Sequence, residues 1–557
     1  MSMARSETAN NLHVAVLPSP GMGHIIPLFN LANRLATDHG CHVSYLNITA
    51  EASAAQTQLL TSPNLPPNLH IVHIPPAKQP THLPQEEQST LAFTRLCHIV
   101  DDNLRELKSI LLHLGKPKAL IIDIFCTQAF EVCKQLSIPV YTFYTASAAL
   151  FAFSLYLPVM DREIIDCEFV DLPEPIRVPG CSPIRTEDLI TQVTNRKIEE
   201  YKWFLFHSSR LPMAAGTLLN TWNEFEPITL KAIKENPFYH QIPAPPIYPI
   251  GPLIKETEPI TKSGAECLAW LDSQPPESVV FVALGSGGSL TELQLTEVAW
   301  GLELSGQRFI WVIRAPSDVD PTAAFFKAGD TDSDDPRTFL PAGFVERTKG
   351  VGHLVSSWAP QAKVLGHRST GAFWSHCGWN STLESMTYGV PMIAWPLYAE
   401  QRMNASVLVE DIGVAVKPAV DPGMGEVVTR EEIKRVVSKI IESEEGKAMR
   451  RKARELSQSA AKALNSSGNG SSYESLVRLV HKWKANQIFI NTINREIERE
   501  ESRRGDRRQT CSQSQIFINA DKREIERGCE GGRRLGLQVY GHGDQDFAVR
   551  LDHWRPE

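Results

Sequence analysis

Short apolar runs alternate along the chain with longer stretches of helical apolar spacing. This order predicts buried strands, each followed by a helix that covers the sheet. The alternation runs from His13 to about Gly251 and begins again near Ser263, continuing to about Leu464. Pro-rich text, QIPAPPIYPIGPLI, marks the break between the two halves. The sequence therefore predicts an α/β fold of two Rossmann-like domains with parallel sheets that face each other across a cleft.

The predicted boundaries follow from these breaks. They are a first domain at 1–251, a linker at 252–264, a second domain at 265–464, a terminal helix at 465–485 and a tail at 486–557.

The stretch Trp358–Gln401 predicts a β-α-β unit. An apolar run ends at Ser375, a helix covers Asn380–Tyr388, and a second apolar run covers Met392–Trp395. Parallel sheets bind ligands at the carboxyl ends of their strands, so the helix start faces that edge. Its free N–H groups and dipole, with His376 beside them, would favour a bound diphosphate.

One motif in this helix has two interpretations. Ser381 and Glu384 have the S-x-x-E spacing of a capping box, in which case they serve only the helix start and the nearby tryptophans serve the core. The alternative is that both side chains contact the ligand.

A glycine-rich turn, Gly285–Gly288, directly follows the apolar run Ser278–Leu284. We predict that a helix opens after it with Ser289-x-x-Glu292, which would bring the turn's amides to the same ligand edge as His376. The turn lacks the G-x-G-x-x-G of dinucleotide enzymes, which disfavours an oxidoreductase.

The first domain contains a candidate base. The strand His13–Pro18 leads to His24, and a helix is predicted from about Ile26. The helix dipole would disfavour imidazolium and keep His24 neutral. The strand Ala119–Asp123 ends in a carboxylate at the same edge, where it could bond the other ring nitrogen and fix the tautomer.

Composition narrows the function classes. The chain has 557 residues, 42% of them hydrophobic, which suffices for two or more domains. A net charge of −8 gives no basic footprint for nucleic acid. The ten cysteines form no C-x-x-C pair, which favours reduced thiols and a cytoplasmic protein. The longest apolar stretch, Ala146–Met160, is too short to span a bilayer, so no membrane association is predicted.

Two acidic motifs match D-x-D, at 330–332 and 332–334. They lie in an acidic insertion containing Gly and Ser, so we interpret them as a solvated loop. No metal ion and no cofactor are predicted.

The stretch Trp358–Gln401, WAPQAKVLGHRSTGAFWSHCGWNSTLESMTYGVPMIAWPLYAEQ, closely resembles the donor-binding box of plant family 1 UDP-glycosyltransferases. The text PSPGMGHIIPL and IIDIFCTQAF resembles the segments that contain the family's catalytic His and Asp. The resemblance covers roughly residues 11–485 and, among plant members, is closest to hydroquinone and monolignol glucosyltransferases. It implies a GT-B fold with an acceptor-binding first domain, a UDP-sugar-binding second domain and a final helix that returns to the first domain.

The resemblance also implies roles for individual residues. The catalytic pair would be His24 and Asp123. The uridine would contact Trp358, Ala359, Gln361 and Glu384. The diphosphate would contact Ser286, His376, Asn380 and Ser381. The sugar would contact Thr145, Trp379, Glu400 and Gln401. Ala372 and Trp374 depart from the family pattern, which has glycine and a smaller aliphatic residue there.

The predicted function is an inverting, UDP-glucose-dependent O-glucosyltransferase that converts a small phenol, such as hydroquinone or a monolignol, into its β-glucoside. UDP-glucose would be a substrate, and the protein would act as a monomer. Three alternatives stay open: a transferase for another UDP-sugar, a noncatalytic UDP-sugar-binding protein, and a UDP-sugar epimerase.

The tail contains an imperfect repeat with an offset of 28 residues, seen where QIFIN at 487–491 returns at 515–519 and REIER at 495–499 returns at 523–527. Two copies are too few for a solenoid, and the Arg- and Glu-rich text lacks a steady apolar stripe. We predict a disordered or aberrant extension, with a partner-binding helix as the alternative.

Overall fold

A computed structural model describes residues 12–78, 91–255, 261–318, 335–356, 358–420 and 427–485, and the backbone of 535–542 and 546–553. The D-x-D matches and the tail repeat lie outside these ranges.

The first sheet has seven parallel strands in the order β3-β2-β1-β4-β5-β6-β7. Their bounds are β1 His13–Leu17, β2 His42–Ile48, β3 Leu69–Ile74, β4 Ala119–Asp123, β5 Val140–Tyr144, β6 Gly216–Leu219 and β7 Ile247–Pro249.

The second sheet has six parallel strands in the order β10-β9-β8-β11-β12-β13. Their bounds are β8 Val279–Ala283, β9 Arg308–Ile313, β10 Gly352–Ser356, β11 Thr370–Ser375, β12 Met392–Ala394 and β13 Ala415–Val416.

Helices connect the strands and cover both faces of each sheet. Those of the first domain are α1 Met22–Thr37, α2 Ala54–Leu60, α3 Ala92–Asn103, α4 Leu107–His113, α5 Ala129–Leu136, α6 Ala148–Glu163, α7 Glu199–Arg210, α8 Pro227–Glu235 and α9 Pro237–Gln241. Those that follow are α10 Lys262–Asp272, α11 Glu292–Ser305, α12 Phe344–Arg347, α13 Gln361–Leu365, α14 Trp379–Tyr388, α15 Gln401–Ser406, α16 Arg430–Glu442, α17 Glu444–Ala463 and α18 at 471–485.

The central strands explain why the chain adopts this fold. Every residue of β4 is fully buried, and so are the last four residues of β1. A continuous apolar run of this kind suits only a strand that is covered on both faces, which a parallel sheet between two helix layers provides. Asp123, the last residue of β4, is the one carboxylate in that strand. The predicted GT-B class, two parallel α/β domains, is confirmed.

Each sheet has a switch point where the strand order reverses. In the first sheet it lies between β1 and β4, and in the second between β8 and β11. Ligands of open α/β sheets bind outside the carboxyl ends of the strands at such points. The candidate catalytic and diphosphate-binding residues lie at or near the carboxyl ends of these four strands, either at a strand end, in the loop that follows or in the first turns of the next helix.

Three helix starts differ from the predictions. Helix α1 begins at Met22 and not near Ile26, because Gly21, with φ +100°, turns the chain directly into the helix. Helix α11 begins at Glu292 with Thr291 as its N-cap, so the expected opening at Ser289 is wrong. Helix α14 begins one residue early, at Trp379.

The final helix, α18, packs on the first domain. Its apolar side chains, including Trp483, join the core formed by β1, β2 and α1. The Trp483 ring meets Tyr141 of β5 edge to face at 5.3 Å. The chain therefore crosses between the domains twice, once in the linker after β7 and once between α17 and α18.

Residues 488–557 form a separate compact unit. Its described backbone is an antiparallel hairpin of β14 Leu535–His542 and β15 Asp546–His553. Among the described helices, none combines the length and apolar character needed to cross a membrane.

Candidate active site

A cavity of about 680 Å³ lies between the two switch points and is lined by both domains. All of the predicted site residues except Asp123 line it: His24, Thr145, Ser286, Trp358, Ala359, Gln361, His376, Trp379, Asn380, Ser381, Glu384, Glu400 and Gln401. Asp123 is fully buried behind His24. The structure thus brings the whole predicted set to one place.

His24 and Asp123 form a hydrogen-bonded pair. Nδ1 of His24 lies 2.8 Å from Oδ2 of Asp123 and 3.2 Å from the hydroxyl of Thr145. The other carboxylate oxygen accepts bonds from the Ser19 hydroxyl at 2.8 Å and from the Phe125 N–H at 3.0 Å. These contacts fix the carboxylate, which in turn fixes the imidazole.

The pKa of His24 is raised above its ordinary value of 6.5. Burial is the largest single effect and would lower this pKa, but the charge and hydrogen bond of Asp123 and the charge of Glu400 together outweigh it. The direction is opposite to that expected from the helix start alone, because the neighbouring carboxylates favour the imidazolium form.

His376 lies in a turn that depends on two glycines. A Cβ at Gly285 would come within 2.4 Å of Nε2 of His376, and one at Gly378 within 2.5 Å. Cys377, which lies between His376 and Gly378, adopts a left-handed φ of +64°. Burial, with the nearby charge of Arg314, lowers the pKa of His376 to about 4. The ring is therefore neutral at pH 7 and can donate a single N–H toward the cavity.

The first turn of α14 has no capping box. Gly378 is the N-cap and no side chain caps the helix, so the capping interpretation of Ser381 and Glu384 is wrong. Instead, the side-chain amide of Gln361 donates to both the Ser381 hydroxyl and the Glu384 carboxylate. Three predicted donor-site residues thus form one hydrogen-bonded cluster on the cavity wall.

Trp379 contacts the first domain through its indole. Nε1 donates to the carbonyl of Asn220 at 2.8 Å, and the ring stacks on Phe225 at 5.6 Å. The indole N–H is therefore already engaged within the protein.

The side chains of Gln401 and Glu400, the neighbouring candidates for the sugar site, are also held by backbone N–H groups. The side-chain oxygen of Gln401 accepts from the N–H groups of Leu397 and Tyr398 at 2.9 and 3.0 Å, so its NH₂ group is what remains for a ligand. Burial raises the pKa of Glu400, although the N–H groups of Glu400 itself and of Trp379 oppose that shift.

The sequence analysis missed three candidate functional residues. Ser19 donates a hydrogen bond to Asp123, and Lys255 and Arg314 line the cavity. Nζ of Lys255 lies 5.4 Å from the centre of the Trp358 ring. Arg314 directly follows the apolar strand β9, and a cation in that position was the signal that could have found it.

The first-domain end of the cavity is mainly apolar. Its walls include the side chains of Phe93, Leu96, Phe125, Leu150 and Phe204. Polar residues such as Thr191 and Gln192 also line the cavity.

The two departures from the family pattern lie in β11. Trp374 is 1% exposed and packs against Trp395 with ring centres 4.9 Å apart, while Ala372 is fully buried. Both belong to the core beneath the sheet and neither lines the cavity. The second domain therefore accommodates the larger side chain in its core.

The chain is similar in sequence to known proteins. Residues 237–457 match the family model described as UDP-glucoronosyl and UDP-glucosyl transferase. UDP-glycosyltransferase 72B1 of Arabidopsis thaliana is 44% identical over 488 residues, covering 86% of this chain and 98% of that protein. Hydroquinone glucosyltransferase of Rauvolfia serpentina is 41% identical over 475 residues, covering 85% of this chain and 98% of that protein.

A solved structure shares the fold. Phytolacca americana UGT2, complexed with UDP-2fluoro-glucose and pterostilbene, superposes with a TM-score of 0.75 at 39% identity. The match covers 87% of this chain and all of that one.

Proposed function

The chain belongs to the plant family 1 UDP-glycosyltransferases, and on that premise we propose that it transfers glucose from UDP-glucose to the hydroxyl of a small phenol. The observation that supports this most is the hydrogen-bonded pair of His24 and Asp123, because His24 lines the same cavity as the predicted donor residues. The proposed reaction inverts the anomeric carbon and gives a β-glucoside.

His24 is the proposed general base. With Nδ1 bonded to Asp123, Nε2 is the nitrogen that takes the phenol's proton. A phenol has a pKa of ~10 and an unperturbed histidine ~6.5, so complete proton transfer before attack would cost about 4.8 kcal/mol. The raised pKa of His24 narrows this gap. Proton transfer therefore accompanies formation of the C–O bond.

Asp123 stabilises the imidazolium that forms as the reaction proceeds. It is fully buried and accepts bonds from Ser19 and Phe125, so it needs no reorganisation at that moment. In the proposed reaction the phenol oxygen attacks opposite to the departing UDP, which would give inversion without a covalent intermediate.

The departing diphosphate is stabilised by fixed groups of the second domain. These are the N–H groups at the start of α14, the Ser286 hydroxyl, the neutral His376 and the guanidinium of Arg314. Since His376 is uncharged, the positive charge beside it would come from Arg314, whose charge acts on the His376 ring. We propose that no metal ion takes part.

Glucose is the proposed sugar because the polar groups around its predicted position have fixed orientations. The NH₂ group of Gln401 and the carboxylate of Glu400 would pair with particular hydroxyls, and an epimer would leave them unpaired.

A phenolic ring is the proposed acceptor because the aromatic and aliphatic walls near His24 fit a flat apolar ring. The name of the Rauvolfia relative supports hydroquinone as a first compound to test. We further propose a monomer located in the cytoplasm; the eight free cysteines of the described ranges support only the location.

One assay tests the proposal. Purified protein is given UDP-glucose, UDP-galactose or UDP-xylose with hydroquinone, coniferyl alcohol or a chlorophenol, with and without EDTA. Release of UDP and the mass and anomeric configuration of the product are measured.

We expect the highest kcat/KM with UDP-glucose, a β-glucoside product and no effect of EDTA. UDP binding without turnover would support a noncatalytic module. Conversion of the sugar itself would support an epimerase. A higher kcat/KM for another UDP-sugar would overturn the donor assignment.

A further inference from the structure

The first turns of α1 and α14 are joined by one hydrogen bond across the domain boundary. Nδ2 of Asn380 donates to the carbonyl of Gly23 at 2.8 Å, although the two residues are 357 positions apart. Gly23 immediately precedes His24, the proposed base. Asn380 is a predicted diphosphate contact, so the bond links one domain's catalytic element to the other's donor element.

Pro27 explains why this carbonyl is available. It lies inside α1, where the N–H of residue 27 would ordinarily donate to the carbonyl of Gly23, four positions earlier. Proline has no N–H, so that carbonyl lacks its usual intrahelical donor. Asn380 supplies a replacement from the second domain.

The geometry allows Asn380 to serve two partners. Its NH₂ group has two hydrogens, and the bond to Gly23 uses one of them. The second remains for a phosphate oxygen of the donor. Oδ1 of Asn380 is buried without a hydrogen-bond partner in the protein.

We propose that the bond between Asn380 and the Gly23 carbonyl positions His24 against the sugar donor, and that Pro27 keeps the carbonyl available for it. Asn380 and Pro27 are positioning residues in this scheme, which rests on the proposed glucosyl transfer. Because the bond sets the distance between base and donor, its loss should lower kcat more than it weakens donor binding.

The substitution Pro27→Ala tests this without removing any donor contact. It restores an N–H that can donate to Gly23 and compete with Asn380. The matched control is Pro158→Ala, which makes the same change inside α6, another 16-residue helix. Pro158 does not line the cavity.

We expect Pro27→Ala to lower kcat roughly tenfold, since a small misplacement of reacting groups has effects of this size. The Kd for UDP, measured by calorimetry, should stay unchanged. The pH midpoint of activity should also stay unchanged, because the contact between His24 and Asp123 is intact. Pro158→Ala should behave as wild type in all three measurements, and melting temperatures verify that each variant is folded.

A double-mutant cycle tests whether Pro27→Ala acts through the bond between Asn380 and the Gly23 carbonyl. Asn380→Ala should lower kcat and weaken UDP binding, because it removes both proposed contacts. Adding Pro27→Ala to Asn380→Ala should then lower kcat no further, since the shared bond is already absent.

An unchanged kcat in Pro27→Ala would overturn the proposal, and so would additive effects in the double variant or an equal loss in Pro158→Ala. A shifted pH midpoint in Pro27→Ala would also overturn it, because that result means disruption of the base itself. Absence of turnover in the wild type would instead refute the proposed function, so the two failures are distinguishable.

Discussion

Nδ1 of His24 lies 2.8 Å from Oδ2 of Asp123, and this contact leaves Nε2 as the basic nitrogen of the ring. The same carboxylate is fully buried and is held by Ser19 and Phe125. The pair therefore has one orientation and one tautomer, which is the arrangement a general base requires.

Replacement of His24 by alanine should affect acceptors according to their ionisation. For an un-ionised phenol, we expect turnover to fall by roughly 10²–10⁴, the usual contribution of a general base. For a nitrophenol or acidic chlorophenol that is ionised at the assay pH, the loss should be much smaller, because no proton needs to be removed. Initial rates with both acceptors check this.

UDP binding provides the control for that variant. Calorimetry should give His24→Ala the wild-type affinity, because most predicted donor contacts lie in the other domain. Equal losses for the two acceptors, or loss of UDP binding, would indicate a structural role for His24.

The pH profile should depend on Asp123. Only neutral His24 can accept a proton, so activity rises as the pH passes through its pKa, which lies above 6.5. Asp123→Asn removes the charge that raises this pKa and leaves burial, which lowers it. We expect the acidic limb of kcat/KM to move to lower pH while the plateau falls. A limb that stays in place or moves upward would contradict the assignment.

The packing of Gly378 against His376 predicts a steric effect on UDP affinity. In Gly378→Ala, the new Cβ would come within 2.5 Å of Nε2 of His376 and displace the ring. The φ of Gly378 is −60°, so the backbone itself accepts alanine. We expect the Kd for UDP to rise at least about tenfold, since a hydrogen bond to a charged group contributes ~1.5–3 kcal/mol. An unchanged Kd in calorimetry would exclude His376 as a diphosphate contact.

A group of three neighbouring histidines predicts that the free energy of unfolding decreases at acidic pH. His13, His42 and His70 lie side by side near the amino ends of β1, β2 and β3, with successive ring centres 4.7 Å apart. Burial, reinforced by the other two histidines, lowers the pKa of His13 to about 4. Between pH 6.5 and about 4 the unfolded chain therefore binds more protons than the folded one, and stability falls as the pH falls.

His13→Gln should reduce that loss. Urea unfolding at pH 7 and pH 5 should show a smaller drop in the free energy of unfolding than in the wild type. Activity at neutral pH should be unaffected, because these strand ends lie opposite the cavity. An identical drop in both proteins would show that other groups control acid unfolding.

Truncation after Asn486 should leave kcat and melting temperature nearly unchanged. The shortened chain retains α18 and both sheets. A large loss of either quantity, in assays beside the full chain, would show that the tail packs on the enzyme.

The sequence predicted strands better than helix starts. The bounds of β4 were predicted correctly, because its continuous apolar run is followed directly by the carboxylate of Asp123, which marks the end of the strand. The start of α1 was missed, because a single glycine with φ +100° determines it and no residue pattern displays that angle.

Distant pairings were outside the reach of sequence reasoning. The contact of Asn380 with Gly23, and that of Trp379 with Asn220, depend on how two domains meet. The direction of the His24 pKa shift was missed because Asp123 and Glu400 together raise this pKa by more than burial lowers it. The roles of the individual site residues stay predictions.

The return of α18 to the first domain limits how the two domains can move. A chain that crosses once could let its halves twist and separate freely. Here the chain crosses twice, once after β7 and once after α17. We expect rotation about the line through these two connections to cost the least free energy, because it moves neither connection far. Opening and closing of the cleft should follow that single axis, so that His24 approaches a bound sugar along nearly the same arc in every cycle.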